Sequence, residues 1–244
     1  MPTADSTGAT LPAPSDTEIR SRILRQAASI GLAVSPFALA FGILCAEADF
    51  RLIEAIGFSS IVFGGSSQFA SALVLADGGT VTAAVVAGGL LALRSLAFGV
   101  VMAPALWGPF WWRAAVSQLM IDESLAVGAL QTDLRWRRFG YLAGGIGVFV
   151  PWNLFTILGF TIFGGAGDLV TSLGIDATIP AAFLALLWPR LSDPKQRLIA
   201  GVGAVVAIVG APLLPPGIPI VLAAAAVALL RPWRKQTSHL AGVS

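Results

Sequence analysis

Val62-Phe63-Gly64-Gly65-Ser66-Ser67-Gln68-Phe69 lies inside an otherwise apolar run from Ile56 to Ala76. Two adjacent glycines weaken a helix and open dihedrals closed to other residues. Two serines and a glutamine then bring hydrogen-bonding groups into a stretch that reads as membrane-embedded. Two readings compete at this point. Either the helix breaks here, so that a second half-helix starts with unpaired N–H groups and a positive dipole end, or it runs through and its small residues face a neighbouring helix closely. In the first case Ser66 or Ser67 is placed to cap the new helix, and Gln68 adds both a donor and an acceptor.

The rest of the chain says which solvent surrounds this stretch. Of 244 residues, 56% are hydrophobic and 11% charged, with a mean hydropathy of +0.83. Soluble domains carry roughly 25% charged residues, so this chain has too little charge for a water-facing surface. It reads as an all-α polytopic protein embedded in a lipid bilayer. A net charge of +2 invites a nucleic-acid reading. The basic residues, however, sit in short clusters between apolar segments, as membrane loops do. Cys45, the only cysteine, falls in an apolar segment, and His239, the only histidine, lies in the polar C-terminal tail. Neither a disulfide framework nor a thiolate metal site follows from these.

Apolar stretches near spanning length are Ile30–Ala46, Ile53–Ala76, Val81–Leu106, Phe139–Phe163, Ile175–Trp188, Leu198–Leu214 and Gly217–Leu230. A spanning helix needs about 20 apolar residues, so the expectation is six to seven hydrophobic helices, the second broken or re-entrant. Residues 1–17 read as a disordered tail, 18–231 as one transmembrane domain and 232–244 as a cytoplasmic tail. Between Trp107 and Arg138, aromatic and basic residues mark the membrane–water boundary. There, Ala114 to Leu130 reads as an interfacial amphipathic helix interrupted by Asp122-Glu123. Gly140 and Gly144 form a G-x-x-x-G pair, a weak mark of close packing.

The charges orient these segments. Basic clusters occur at Arg20/Arg22/Arg25, Arg113 with Arg135/Arg137/Arg138, Arg190/Lys195/Arg197 and Arg231/Arg234/Lys235, while the intervening connections lack Lys and Arg. From Trp107 onward the pattern alternates, with the C-terminus cytoplasmic. If the first three segments all cross, the N-terminal arginines lie outside, against the rule. If Ile53–Ala76 dips in and returns, both termini lie inside and Arg51 is the single exception. Charge thus favours a break at Gly64–Gln68.

Four further residues stand out. Arg94 has apolar neighbours on both sides, and an arginine near the bilayer centre costs about 2.5–3.5 kcal/mol on insertion scales. Such a residue either marks a pathway or locks helices through an ion pair, with a substrate carboxylate, Asp122 or Glu123 as its partner. Asp122 and Glu123 point about 100° apart on a helix. They read either as an amine-binding or proton-coupling site or as the polar face of an interfacial helix. Asn153, after Pro151-Trp152, either binds a polar group or bonds backbone freed by the proline. An enzyme is not expected. GGSSQ approaches a nucleophile pattern, but Gln68 replaces its last glycine and no histidine lies near in the membrane segments. No metal-ligand spacing and no phosphate-loop context is present, and no cofactor is expected.

Ser35-Pro36-Phe37-Ala38-Leu39-Ala40-Phe41-Gly42 resembles an early segment of the azaleucine-resistance (AzlC-type) branched-chain amino-acid permeases. Val62 to Phe69 is similar to that family's G-A-S-Q-F signature. Arg94 with Phe98-Gly99, Asp122-Glu123-Ser124, and Ile179-Pro180-Ala181-Ala182-Phe183 match in order over roughly residues 30–230. The sequence departs from the pattern at Ala92 and Ser95, where the family carries Asn and His. The resemblance implies secondary transport, exporting branched-chain or similar amino acids across a bacterial inner membrane. It also implies a small hydrophobic membrane subunit of AzlD type as partner. Substrate would meet Gly64, Gly65, Ser66, Ser67, Gln68, Arg94 and Asn153, with Asp122 or Glu123 taking the amine or a coupling proton. The competing reading is a non-transporting membrane scaffold, in which polar groups pair within the protein and no midplane cavity forms.

Overall fold

In a computed structural model, the chain is described over residues 14–164 and 188–214, with positions 184, 218, 219, 222, 223 and 225 in addition. Among the described residues all regular structure is helical. The segment Ile175–Trp188, apart from Leu184 and Trp188, and most of Gly217–Leu230 lie outside the described residues, as does the C-terminal tail.

Helix α1, Asp16–Glu47, starts ahead of the expected boundary because Ser15 and Glu18 form a reciprocal capping box. Ser15 Oγ accepts from Glu18 N–H at 3.3 Å, and Glu18 Oε2 accepts from Ser15 N–H at 2.7 Å. That pairing satisfies two donors of the first turn. Pro36 lies inside α1 without ending it. The residue before it, Ser35, donates its hydroxyl one turn back to Gly31 O at 2.9 Å.

Asp49, in the left-handed region at φ 58°, turns the chain into α2, Leu52–Ile61. The helix then stops. Val62, Phe63 and Gly64 are not helical, and α3 runs Gly65–Ala76. The expected break is therefore present, and the contacts show its shape. Phe41 of α1 meets Phe58 before the break and Phe69 after it, at ring-centroid distances of 5.8 and 5.5 Å. Gln68 Nε2 also donates back to Phe58 O at 3.0 Å. Residues on either side of the tip thus sit at one height, so the chain reverses at the break and α2 and α3 form an open helical hairpin, α2 packing on α8 and α3 on α1. With 10 and 12 residues, these helices extend about 15 and 18 Å, well short of a hydrocarbon core of about 30 Å.

After the Gly78 turn (φ 78°), α4, Val81–Ala92, descends along α3. Ser71 Oγ donates to Ala84 O at 2.8 Å, and Gly88 passes against the Ser67 carbonyl. Helix α5, Arg94–Met102, continues α4 after an irregularity at Leu93, and together they make a 22-residue apolar span. Then α6, Phe110–Ser117, and α7, Asp122–Ala129, form a second hairpin with its reversal at 118–121. Its second limb, α7, packs along α8, Leu134–Leu158, while α6 reaches α8 through side chains, Arg138 lying over the Trp112 ring at 4.0 Å. Leu119 packs at Gly145, Ser124 at Gly144 and Gly128 at Tyr141, while Tyr141 Oη donates to Val116 O at 2.7 Å. The expected single interfacial helix over 114–130 is thereby corrected. Asp122-Glu123 is not an interruption of one helix but the first turn of a new one. Gly140 and Gly144 lie against α7, where a methyl on either would meet Val127.

Helix α8 continues into a π-helical turn, Gly159–Phe163. It runs parallel to α1: Ala27 faces Gly147, Leu39 faces Gly159 and Ala46 faces Gly164. Arg135 bonds Asp16 at 3.0 Å, and Arg20 lies over the Phe139 ring at 5.7 Å. The N-terminal arginines and the Arg135 cluster therefore share one face of the molecule. That satisfies the charge rule with one crossing, α4–α5, between α1 and α8. Among the described residues, three helices are long and apolar enough to cross: Asp16–Glu47, Val81–Met102 and Leu134–Phe163. Past a 3-10 turn at Trp188–Ser192, α9, Pro194–Gly210, is N-capped by Asp193.

The chain from α1 to α7 contains the same arrangement twice with opposite sense: a long helix, then a two-helix hairpin entering from the face that helix reaches. Ser67 and Ser124 occupy the third position of α3 and α7, and both are buried. Inverted repeats of this kind bring broken helix ends together at mid-depth.

Candidate functional site

The two tips meet at the height of α8 residues 145–152. Phe63 packs on Phe149 at 5.0 Å, and Ile121 joins the cluster containing Val148 and Trp152. Gln118 Nε2 bridges the tips directly, donating to Ser60 O and Ile61 O at 2.7 Å each. Those carbonyls end α2 and have no intrahelical donor beyond the break.

Beside this junction is a cavity of about 210 Å³. Gly65 and Ser66, the first residues of α3, and Asp122 and Glu123, the first residues of α7, line it. Two helix N-termini with unpaired N–H groups thus open onto one space. Arg94 enters from α5 and pairs with Asp122, Nη1 to Oδ2 at 2.6 Å, the two side chains 40% and 48% exposed. Of the two readings given for Arg94, the ion pair is present, and the residue also stands at a cavity wall. Ser95, where the family resemblance leads one to expect His, lies beside the α6–α7 tip, with its hydroxyl 3.5 Å from Met120 O. The remaining walls are apolar, with Phe37 of α1, Phe69 of α3 and Val148 of α8.

The other residues singled out from sequence occupy different positions. Gly64 is the extended N-cap of α3 and makes no side-chain cap, so neither Ser66 nor Ser67 caps the helix as foreseen. Ser67 is buried where α3 and α4 approach. Gln68 is fully buried and ties the hairpin together through Nε2, while its Oε1 has no partner among the described residues. Asn153 stands outside the cavity lining. Its Oδ1 accepts from Ser60 Oγ at 2.7 Å, and its Nδ2 donates to Phe149 O at 2.9 Å, joining α2 to the turn of α8 that contains Pro151. Trp152, one residue earlier, lines the cavity, and sequence reasoning passed over it. Its neighbour Gly65 was the available signal: a methyl there would stand 3.0 Å from Trp152 Cη2.

Comparisons with known proteins identify the family. The family described as AzlC protein matches residues 29–166, which contain α8 and both hairpins. Inner membrane protein YgaZ of Escherichia coli (strain K12) is 25% identical over 205 residues, covering 79% of this chain and 80% of that protein. No solved structure matches. With the matched region spanning more than half its length, the chain belongs to the AzlC family.

Proposed function

We propose that the chain is the large subunit of a secondary transporter that exports branched-chain or similar amino acids across the bacterial inner membrane. The observation that supports this most is the cavity at the meeting of two oppositely directed hairpins. Its two helix N-termini favour an anionic group, its acidic pair favours an amine, and its aromatic walls suit an apolar side chain. Arg94 adds positive charge, and Asp122 or Glu123 receives the amine or a coupling proton. A scaffold would have its polar groups paired within the protein, whereas Ser66 Oγ and Trp152 Nε1, buried atoms of two cavity-lining residues, have no partner among the described residues.

The arginine-rich face is the cytoplasmic one on this reading. A small hydrophobic subunit of AzlD type would cover part of α4–α5, where Val85, Leu96 and Val100 are exposed and Gly89 and Gly99 have nothing within 4 Å of an added methyl.

The test is export in cells lacking branched-chain amino-acid exporters, with the chain expressed beside its small-subunit gene. The expected outcome is increased leucine efflux and tolerance of toxic leucine analogues, both lost in Asp122→Asn. Unchanged efflux and tolerance on expression of the intact pair would overturn the substrate assignment.

A further inference from the structure

Two residues that line the cavity, Ser66 and Trp152, each carry a buried hydrogen-bonding atom, Oγ and Nε1, that no described residue satisfies. An indole N–H can only donate, and a buried donor without an acceptor is a destabilising feature that native structures seldom keep without reason. Trp152 is only 6% exposed, and its ring is stacked on Phe41 at 6.3 Å. It is therefore held by packing, not by its nitrogen. The benzo end of the indole lies against α3: Cη2, Cζ2 and Cζ3 stand 3.0, 3.6 and 3.7 Å from a methyl built on Gly65. The indole thus packs beside the first turn of α3, where Ser66 presents its hydroxyl and the backbone N–H groups lack intrahelical acceptors. The positive group expected to bind an anion, Arg94, already has Asp122 at 2.6 Å.

We propose that Trp152 Nε1 and Ser66 Oγ are the direct ligands of the substrate's carboxylate, holding it on the N-terminus of α3. Arg94 then acts through its field and through Asp122, not by contact. The carboxylate supplies two acceptor oxygens, matching two donors that arrive from different helices. Ser66 and Trp152 thereby separate amino acids from amines and alcohols of the same shape. This inference rests on the amino-acid reading of the cavity.

The test uses the full chain in lipid nanodiscs, with any subunit that co-purifies, and three probes: leucine, leucinol (no carboxylate) and isocaproate (no amine). Trp152→Phe keeps an aromatic ring on Phe41 and removes the N–H; Ser66→Ala removes the hydroxyl. Each is expected to weaken leucine and isocaproate binding by about tenfold or more, the range for a hydrogen bond to a charged group, and to leave leucinol unchanged. Unchanged leucine affinity in either variant overturns the inference while the substrate reading stands. Failure of the wild-type chain to bind leucine overturns the substrate reading itself, and this inference with it. If Trp152→Phe does not fold, Ser66→Ala decides alone: selective loss of the carboxylate probes supports the proposal, and unchanged affinity ends it.

Discussion

Replacing Gln118 by leucine deletes the one side chain that bonds the two hairpin tips to each other through paired hydrogen bonds. Its Nε2 donates to Ser60 O and Ile61 O, each at 2.7 Å. A net contribution of about 0.5–1.5 kcal/mol per bond makes the pair worth roughly 1–3 kcal/mol. The upper half of that range is the relevant one, because the two carbonyls end α2 and lose their only substitute for an intrahelical donor. For a chain of this size about 1 kcal/mol moves a melting temperature by roughly 2–4 °C, so Gln118→Leu should melt about 4–12 °C lower. Gln131→Leu is the control. Gln131 also donates to a carbonyl, Val127 O, but at 3.4 Å and within its own stretch of chain, so its loss should move the melt by about 1 °C or less. Melting in detergent, followed by intrinsic fluorescence and by loss of a monodisperse elution peak, reads both variants. A wild-type melt for Gln118→Leu, or an equal loss in Gln131→Leu, would refute the idea that this bridge joins the tips.

Further outcomes follow from the packing. In a Cys45→Ser background, single cysteines at Asp49 and Gly79 should react with an impermeant maleimide from one face of the membrane, and one at Asp133 from the other. Labelling of positions 49 and 79 from opposite faces contradicts the hairpin. Gly31→Ala places a methyl on the Gly147 carbonyl, whereas Gly57→Ala meets nothing within 4 Å. The first should destabilise by about 1–3 kcal/mol and the second stabilise by up to about 1 kcal/mol, opposite signs that a pair of thermal melts would distinguish. Arg94→Ala and Asp122→Ala should each cost more than their double variant implies. The expected coupling is about 1–2 kcal/mol, between the values for exposed and buried pairs because both side chains are partly exposed. Additive losses in the double-mutant cycle would mean that the pair contributes nothing.

Much of the first hairpin was legible in the sequence because its signals are local. Gly64-Gly65 weakens the helix, and the positions of the N-terminal arginines favoured a return. The second hairpin was not. Its helices have eight residues each, too few for a period to declare itself, and its reversal, Gln118-Leu119-Met120-Ile121, contains neither glycine nor proline. Flanking tryptophans and arginines made the stretch look like a surface helix. Asp122 and Glu123 carried the missed message, since acidic residues favour the first turn of a helix. Asn153 looked available for a ligand because its partner Ser60 is distant in the chain. Trp152 looked ordinary for the same reason: its unpaired nitrogen matters only once α3 has been folded against it. The parallel pairing of α1 with α8 depends on contacts between glycine faces and remote carbonyls, which spacing alone does not predict.

That pairing bears on how the molecule is built during synthesis. Helix α1 emerges first, yet the surface it buries is supplied by α8, more than a hundred residues later in the chain. Until then the α2–α3 limbs, each too short to remain in the bilayer as a spanning segment, lack the Asn153 and Thr156 contacts that hold Ser60 and Ser59. The hairpins must therefore enter the membrane late, recruited by crossings already in place. Truncation before Leu134 should leave them exposed to proteolysis while α1 and α4–α5 stay inserted.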